Sequence, residues 1–467
     1  MNRSDFIKNV AVLGAMPFVI SKAGAEGKKS SNKTKNSGFI LPKKIFKIGR
    51  NKLSIVLPEA YKDKTENLQL SLLCGDGAWI FKEKKPSFAG ENALKFEVAD
   101  GKLSADADFE RECRYTLLVK DKTIKIDKAK KNRLKNIVAA FHLYALKPDL
   151  YALAPFKGDS HIHSTNSDGK NKPQEVALRC YEVGLDYQAI SDHKTYETSQ
   201  DMKNLFAKFP TSMSFLNAEE CHESYVHVHN FGGNQSVSNY IKNNRAEFEK
   251  SVESIKNTLP RDLPDSVISN VAIAEAEFDL IRRFGGIAVL NHPFWYPQLK
   301  GKFVHLESGI LNLLSDRKKY DAYEYINSSC GHVTASMAAN HYPYHAAPKP
   351  IMGCSDAHRV EMQGTGYTIV FAKNSGFDEL KKSILSNLSV AAYELETKTK
   401  KCVFIFGDNR LADFAYFLLD EYFPEHDDLI AREGKLIESA LKENSSDFSE
   451  IEKISSQVKK MYDSVRG

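Results

Sequence analysis

The chain has 467 residues, enough for two or three domains with buried cores. Its composition, 42% hydrophobic and 27% charged, is typical of a globular protein. The formal net charge of +5 is compatible with an anionic substrate but too small to indicate nucleic-acid binding. Seven cysteines without CxxC spacing indicate neither a disulfide framework nor a structural zinc ribbon.

The N-terminal segment has the pattern of an export signal. A short basic region precedes an apolar stretch over residues 9–20, which is too short to span a bilayer, and residues 23–25 (Ala-Gly-Ala) provide a cleavage site. We therefore expect residues 1–25 to be a signal peptide and residues 26–40 a flexible linker. The mature protein would then be periplasmic or extracellular and without a membrane span. The alternative is a buried or disordered N-terminal helix.

The region that follows contains short runs of alternating apolar residues. These runs predict a small β-sandwich-like domain over residues 41–120. A basic connector over residues 121–154 comes next, and its first part, to about residue 146, is expected to be helical. The predicted strands of the sandwich are residues 53–57, 68–72, 94–98 and 115–119.

Residues 155–395 alternate short apolar strands with helical patterns. This alternation predicts an α/β barrel or a doubly wound sheet. A charged, mostly helical C-terminal extension is expected over residues 396–467. The predicted strands of the central region are residues 156–163, 185–191, 214–221, 225–231, 287–291, 322–326 and 351–355, and the predicted helices are residues 173–183 and 271–284.

Twelve of the fourteen histidines lie between His161 and His358, which points to a site in the central region. His161 and His163 are two residues apart on a predicted strand, so both side chains face the same side and can bind one metal ion. Asp168, in a loop marked by Gly169, can add a carboxylate oxygen. Two nitrogens and one oxygen suit zinc, manganese or iron better than calcium or magnesium.

Two further groups follow other predicted strands. His193 lies at the carboxyl end of a strand, where α/β enzymes build their active sites, and Asp192 beside it either orients an imidazole or caps a helix. Glu220 could bridge two metal ions. His227 and His229 share one strand face, and we expect one of them to bind metal, with His229 favoured.

The last two groups also end buried strands. One strand stops at His292, where Pro293 ends it, and the other ends in Asp356 and His358 at positions i and i+2. Any one of these strand-end groups could be structural. Five of them in one domain predict a shared metal centre.

Taken in order, these motifs resemble those of the PHP (polymerase and histidinol phosphatase) superfamily, and the resemblance covers roughly residues 155–392. The motifs are HxH followed by SDG, then SDH, a Glu pair with a following His, NHP and SDAH. The N-terminal region also resembles that of exported bacterial members. The resemblance implies a distorted (β/α)7, TIM-like barrel that holds two or three divalent metal ions (zinc, manganese or iron). The implied ligands are His161, His163, Asp168, His193, Glu220, His229, His292, Asp356 and His358, of which His161, His193, Asp356 and His358 are expected to be catalytic.

The resemblance further implies a phosphoesterase that hydrolyses a small-molecule phosphate ester with a metal-activated hydroxide. Lys194 and Arg359 are candidate phosphate contacts, and Trp295 and Tyr296 are candidates for an aromatic wall around the leaving group. Solvated charges and loop packing are the alternatives for these residues. Many family members carry a basic residue after the His-Pro pair, where this chain has an aromatic one, Phe294. This difference leaves the substrate open.

Two other functions stay open. A metal-dependent hydrolase of carboxylic or carbamic esters, or of amides, would direct the same hydroxide at a carbonyl carbon. A non-catalytic binding protein would retain the site as a vestige, although unused ligands in a pocket are costly unless their polar groups are satisfied.

Overall fold

The computed structural model describes residues 38–75, 79–82, 85–88, 91–125, 135–293, 306–329, 349–396 and 401–466. The expected signal peptide, most of the expected linker and the candidate substrate residues Trp295 and Tyr296 lie outside these residues. Among the described helices, none combines the length and the apolar character needed to cross a membrane.

The described residues form a mixed α/β fold with several sheets. The first ten strands are β1 (Ile45–Lys47), β2 (Gly49–Val56), β3 (Leu68–Cys74), β4 (Trp79–Lys82), β5 (Lys85–Phe88), β6 (Glu91–Leu94), β7 (Phe96–Ala99), β8 (Lys102–Phe109), β9 (Cys113–Asp121) and β10 (Ile137–Leu146). The later strands are β11 (Ala154–Ile162), β12 (Tyr187–Ile190), β13 (Ser214–Phe215), β14 (Ala218–Cys221), β15 (Val228–Phe231), β16 (Ile287–Leu290), β17 (Ala322–Asn327), β18 (Ile351–Cys354), β19 (Gly366–Ala372), β20 (Ser389–Glu396) and β21 (Lys401–Phe406).

Eleven α-helices occur in the described part of the chain. They are α1 (Pro148–Tyr151), α2 (Pro173–Glu182), α3 (Glu197–Phe206), α4 (Val237–Asn243), α5 (Arg245–Lys256), α6 (Asp265–Arg283), α7 (Ser308–Arg317), α8 (Phe377–Leu385), α9 (Asn409–Glu421), α10 (Phe423–Glu443) and α11 (Ser449–Val465).

The N-terminal strands form two larger sheets and one hairpin. Their orders are β1-β10-β9-β3-β6, β2-β8-β7 and β4-β5. Inward-facing side chains of the two larger sheets, such as Ile55 and Leu103 on one and Leu70 and Leu117 on the other, belong to a single apolar cluster. The alternation seen in the sequence therefore arises because each sheet has one face on this cluster.

The helical prediction for the connector is wrong over residues 137–146, which form β10. This strand pairs antiparallel with β9 and parallel with β1. Phe141 and Leu143 pack in the N-terminal cluster, whereas Tyr144 and Leu146 belong to the larger core of the chain. A strand buried on both faces shows no polar alternation, so its sequence pattern cannot be distinguished from that of a buried helix.

The central region forms two sheets, ordered β13-β12-β11-β19-β20-β21 and β14-β15-β16-β17-β18. The predicted strand 214–221 is divided between them, since β13 belongs to the first sheet and β14 to the second. Isolated bridges join the sheets, one between Ile162 and Ala357 and one between His193 and Glu220. Strands β11 and β12 are parallel, as are β16, β17 and β18. The carboxyl ends of β11, β12, β16 and β18 carry histidine motifs.

The C-terminal helices pack against the central region. Strand β21 precedes them and pairs with β20, so the expected helical extension contains a strand at its start. Gly434 lies within α10, where a Cβ atom would stand 2.3 Å from the Cβ of Tyr181 on α2. Glycine therefore allows these two helices to approach closely.

A buried ionic cluster joins α10 to the base of the central sheet. His426 Nε2 lies 2.7 Å from Asp186 Oδ1, and its Nδ1 lies 3.1 Å from Asp427 Oδ1. Asp427 also accepts a hydrogen bond of 2.8 Å from Lys157 Nζ on β11. Burial lowers the pKa of His426, but the two carboxylates outweigh it and raise the pKa to about 9.

We expect His426→Gln to lower the free energy of unfolding by about 3 kcal/mol at pH 6, because it removes a buried cation from two carboxylates. The raised pKa of His426 means that its contribution is complete below about pH 6.5 and is lost as the pH rises through about 9. Urea denaturation at pH 6 and pH 10 should show a smaller difference from wild type at pH 10. Glu438→Gln, on the exposed face of α10, is the control. An equal loss at both pH values would contradict the prediction.

Candidate metal centre

Backbone hydrogen bonds bring the motif-bearing strand ends together. Asp356 N donates to His161 O and His163 N donates to Ala357 O, each at 2.9 Å, which joins the end of β18 to the end of β11. Glu220 N donates to Ser191 O at 3.1 Å, which joins β14 to the end of β12. The HxH, SDH, Glu-pair and SDAH motifs therefore meet at one edge of the two sheets.

His161, His163 and Asp356 form a buried part of the centre. The Nε2 atoms of the two imidazoles are 3.0 Å apart, as expected for positions i and i+2 on one strand face. Asp356 Oδ1 lies 3.0 Å from His163 Nε2 and 3.4 Å from His161 Nε2. Two nitrogens and a carboxylate oxygen thus converge on one point.

Glu220 lies between this trio and the other histidines. Its Oε2 atom is 3.2 Å from His161 Nε2 and 3.1 Å from His193 Nδ1. Its Oε1 atom is 2.9 Å from His227 Nδ1 and 3.1 Å from His292 Nε2. Each carboxylate oxygen thus faces a different set of imidazoles, as in carboxylates that bridge two metal ions.

Asp168, His193 and His358 form the exposed side of the centre. Asp168 Oδ2 lies 3.2 Å from His358 Nε2 and 3.7 Å from His193 Nε2, and Asp168 Oδ1 lies 3.7 Å from His163 Nδ1. Gly169 permits the fold-back of this loop, since a Cβ there would stand 2.6 Å from His163 O. The carboxylate thus lies 3.2–3.7 Å from nitrogens of three histidines.

Among the described residues, four groups of potential ligands have one atom from each member within 4.8 Å of one another. The groups are His163, Asp168, His193 and His358; His161, Glu220 and His292; His161, His163 and Asp356; and His193, Glu220 and His227. Because the groups share members, they describe one continuous centre that could hold more than one cation.

Several buried ligand atoms in this centre have no hydrogen-bond partner. They include Glu220 Oε2, His193 Nδ1 and both ring nitrogens of His229. Imidazole nitrogens lie 3.1–3.4 Å from Glu220 Oε2, but none forms a well-directed hydrogen bond to it. Buried polar atoms without partners are costly, and divalent cations would satisfy them. The donor set of imidazole nitrogens and carboxylate oxygens therefore fits transition-metal ions.

The charges of the centre are strongly coupled. Burial raises the pKa of Glu220, but the surrounding imidazoles outweigh it and hold that pKa well below its ordinary value. Burial lowers the pKa of His161, whereas the carboxylates of Glu324 and Glu220 raise it well above the ordinary value. At His229, burial and the neighbouring His161 lower the pKa to about 3 and outweigh the opposing effect of Glu324 and Glu220.

Glu324 is an important residue of the centre that the motif analysis missed. Its Oε1 atom lies 2.6 Å from His161 Nδ1, and its Oε2 atom accepts a hydrogen bond from His292 N at 2.8 Å. Asn327 donates to both Glu324 Oε2 and Asp356 Oδ2. Such outer carboxylates fix the orientation of a ligating histidine. The sequence contained one signal for this role, because Glu324 is the single charged residue inside the predicted strand 322–326.

Asp192 has neither of the two roles considered from the sequence. Its carboxylate accepts hydrogen bonds from the backbone N of Ser164 at 2.6 Å, from Ser164 Oγ at 2.5 Å and from Ser167 Oγ at 2.7 Å. It therefore holds the loop that carries Asp168.

Asp159 is a second buried carboxylate that supports the centre. It accepts hydrogen bonds from the backbone N atoms of His161 and Ser355 and so joins β11 to β18.

The sequence favoured His229 as a ligand, but the structure places His227 beside Glu220. His227 Nδ1 lies 2.9 Å from Glu220 Oε1. His229 faces the same interior, with its ring 5.5 Å from that of His161, but it belongs to none of the four groups. The sequence could not separate the two, because residues i and i+2 of a strand share a face. Both ring nitrogens of His229 are buried and have no hydrogen-bond partner.

Three predicted site residues have a positive φ angle. The φ angles are +52° at Lys194, +50° at Asp356 and +20° at His292. Non-glycine residues with a positive φ are uncommon, and such strain concentrates at functional sites. At Asp356 the strained backbone directs the carboxylate to His161 and His163, while the His358 imidazole lies beside Asp168.

The candidate substrate residues lie at the edge of the centre or beyond the described residues. The Lys194 side chain is exposed and its Nζ lies 3.0 Å from Glu223 Oε1, and Arg359 is exposed. Trp295 and Tyr296 lie outside the described residues, so their role stays a prediction.

Comparisons with known proteins give partial matches. A segment of 53 residues, 11% of this chain, is 43% identical to the DNA polymerase/3'-5' exonuclease PolX of Bacillus subtilis, and the match spans 9% of that protein. No family model matches the chain.

Solved structures overlap with larger parts of the chain. A two-domain protein from Bacteroides vulgatus containing a predicted PHP-like metal-dependent phosphoesterase overlaps with 52% of this chain and 66% of its own, at 15% identity and a TM-score of 0.35. An amidohydrolase from Chromobacterium violaceum overlaps with 43% of this chain and 87% of its own, at 18% identity and a TM-score of 0.31. The first of these structures is described as containing a PHP-like domain, and the motifs of this chain resemble the same superfamily. That this chain is of the exported type stays a prediction.

We expect Glu220→Gln to lose at least one equivalent of bound metal, because a neutral amide is a weaker ligand than a carboxylate and cannot bridge two cations. Elemental analysis after dialysis against zinc or manganese measures this content. Glu219→Gln is the matched control, since Glu219 faces away and accepts hydrogen bonds from Asn230 Nδ2 and Ser236 Oγ. Equal metal content in wild type and Glu220→Gln would refute the central role of this carboxylate.

The positions of His227 and His229 lead to a second comparison. We expect His227→Ala to lower metal content or affinity by about 10-fold or more, because its Nδ1 lies beside Glu220. His229→Ala should have the smaller effect, because His229 belongs to none of the four groups of potential ligands. Metal titrations of both variants distinguish the two histidines. A larger loss in His229→Ala would restore the assignment made from the sequence.

Proposed function

We propose that this protein is a metal-dependent phosphoesterase that hydrolyses a small-molecule phosphate ester. The observation that carries the proposal is the position of Glu220, whose two carboxylate oxygens face different imidazoles within 2.9–3.4 Å. We further propose that the four overlapping groups hold two or three divalent cations, with zinc, manganese and iron suited to the donor set.

The proposed ligands are the nine residues from the motifs, with His227 as the alternative to His229. Bound divalent cations would lower the pKa of water toward neutrality and neutralise charge on phosphate oxygens. Glu324 keeps the His161 Nε2 atom directed into the centre by engaging Nδ1. Asp192 holds the loop that presents Asp168.

The substrate would approach from the side of Asp168. The Asp168 side chain is 53% exposed and that of His358 is 32% exposed, whereas that of Glu220 is 1% exposed. The imidazoles on this open side, His193 and His358, are therefore those that could reach a leaving-group oxygen. Lys194, which pairs with Glu223, and Arg359 are both exposed, and we interpret them as candidate phosphate contacts.

We also interpret the two central sheets as the wall of a distorted (β/α)7 barrel. Support comes from the isolated bridges between the sheets and from the strand ends that meet at one rim. In this interpretation residues 41–120 form a separate domain, residues 155–395 form the hydrolase domain, and residues 1–25 direct export. N-terminal sequencing of the mature protein tests the export prediction.

Hydrolysis of a carboxylic ester or an amide is the second candidate function. The observation that favours it is the ion pair between Lys194 and Glu223. Glu223 also pairs with Arg245. This acidic partner reduces the positive charge that Lys194 offers to a phosphate. A non-catalytic role is the third possibility, and absence of both bound metal and hydrolysis would favour it.

We expect the purified protein, loaded with manganese or zinc, to hydrolyse p-nitrophenyl phosphate in preference to p-nitrophenyl acetate. His161→Ala and Asp356→Ala should each lower kcat/KM by about 100-fold or more, because losing cation stabilisation of the transition state costs several kcal/mol. Chelation should abolish the activity, and added metal should restore it. Lys442→Ala on the exposed face of α10 serves as the control. Faster cleavage of the acetate would favour the second candidate function.

A further inference from the structure

Two cysteines of the N-terminal sheet are in direct contact. Cys74 ends β3, Cys113 begins β9, and the antiparallel register pairs Cys74 with Tyr115. Cys113 is therefore the diagonal neighbour of Cys74 on the same face of the sheet. Their Sγ atoms are 3.7 Å apart. A disulfide requires about 2.05 Å between the sulfurs, and diagonal neighbours in a sheet are farther apart than directly paired residues, so bond formation needs movement of the strand ends as well as of the side chains.

The surroundings of the pair make its two thiols unequal. Arg111 Nη2 lies 2.9 Å from Cys74 Sγ, and a nearby guanidinium favours the thiolate. Burial raises the pKa of Cys74, but hydrogen bonds from Arg111 and Tyr115 outweigh it and lower that pKa. Burial and the neighbouring Cys74 raise the pKa of Cys113 to about 11. Cys74 is thus the more readily ionised thiol.

We propose that Cys74 and Cys113 are a thiol pair that takes a disulfide bond, with Cys74 as the attacking thiolate. Both side chains are only half-buried, so a small disulfide can reach them, whereas Cys180, Cys221 and Cys354 are buried. The proposal does not depend on the metal centre or on the hydrolase activity.

The reaction is a two-electron thiol–disulfide exchange with a small-molecule disulfide as the oxidant. The Cys74 thiolate attacks one sulfur of that disulfide, which forms a mixed disulfide and releases one thiolate. The Cys113 thiol then loses its proton to water and attacks Cys74 Sγ, which releases the second thiolate. The protein loses two hydrogens, and the oxidant is reduced to two thiols.

The bond would constrain a large part of the N-terminal sheets. It closes the loop over residues 75–112, which includes β4 to β8, and long loops gain most from a cross-link. Glu112, next to Cys113, accepts a hydrogen bond of 2.9 Å from Arg410 on α9. The cross-link would thus lie beside a contact between the N-terminal sheet and the C-terminal helices. Disulfides persist in oxidising compartments, where the N-terminal segment predicts this protein to be.

The test uses the full chain, purified reduced and then exposed to oxidised glutathione. We expect free thiols to fall by two, and mass spectrometry of a non-reducing digest to find peptides of Cys74 and Cys113 joined with the loss of two hydrogens. The melting temperature should rise by several degrees and return after reduction. Persistent glutathione on Cys74, linkage of Cys74 to another cysteine, or no reaction of either thiol would overturn the proposal.

Three variants test the separate roles. Cys113→Ser should trap one glutathione on Cys74, whereas Cys402→Ser, at another half-buried cysteine, should oxidise like wild type. Arg111→Gln should slow oxidation severalfold at pH 7 and much less at pH 10, where the Cys74 thiol ionises without help. Melting curves of the reduced variants show whether they are folded. If Cys113→Ser is not folded, Cys113→Ala takes its place. An unchanged rate in Arg111→Gln would show that Cys74 is not the activated thiol.

Discussion

The buried carboxylate of Glu220 is the constraint on which the centre depends. Its side chain is 1% exposed, and an isolated negative charge at such a position would be very unfavourable. Imidazoles from both sheets surround it, including His161 on one sheet and His292 beyond a strand of the other. The carboxylate therefore favours the juxtaposition of the two sheets and also requires positive charge between them. Divalent cations would supply that charge more completely than protonated histidines.

Much of the centre could be predicted because its residues occupy the ends of buried strands. His161 and His163 obey the rule that alternate residues of a strand share a face, and their nitrogens meet at 3.0 Å. The same rule worked less well for Asp356 and His358. The left-handed backbone at Asp356 interrupts the strand geometry, so the carboxylate and the imidazole contribute to different ligand groups.

The missed features depend on contacts that are distant in the sequence. Glu324 supports His161 across 163 positions, and no local pattern announces that partnership. Strand β10 looked like a connector because both of its faces are buried, and its pairing with β9 decides its structure. The predicted strand 214–221 changes sheets midway, between β13 and β14, and the contacts that divide it are not local. In each case tertiary contacts override a local preference.

Burial of the ligands changes steadily across the centre, and this gradient has consequences for metal binding. His161 and Glu220 are held by surrounding residues and are closed to water, whereas Asp168 projects from a loop and is 53% exposed. A cation held by the buried set would lose almost all of its water and gain fixed ligands. A cation held by Asp168 and His358 could keep water ligands and exchange them for substrate oxygens. The fold thus separates a buried side of the centre from a side that is open to solvent.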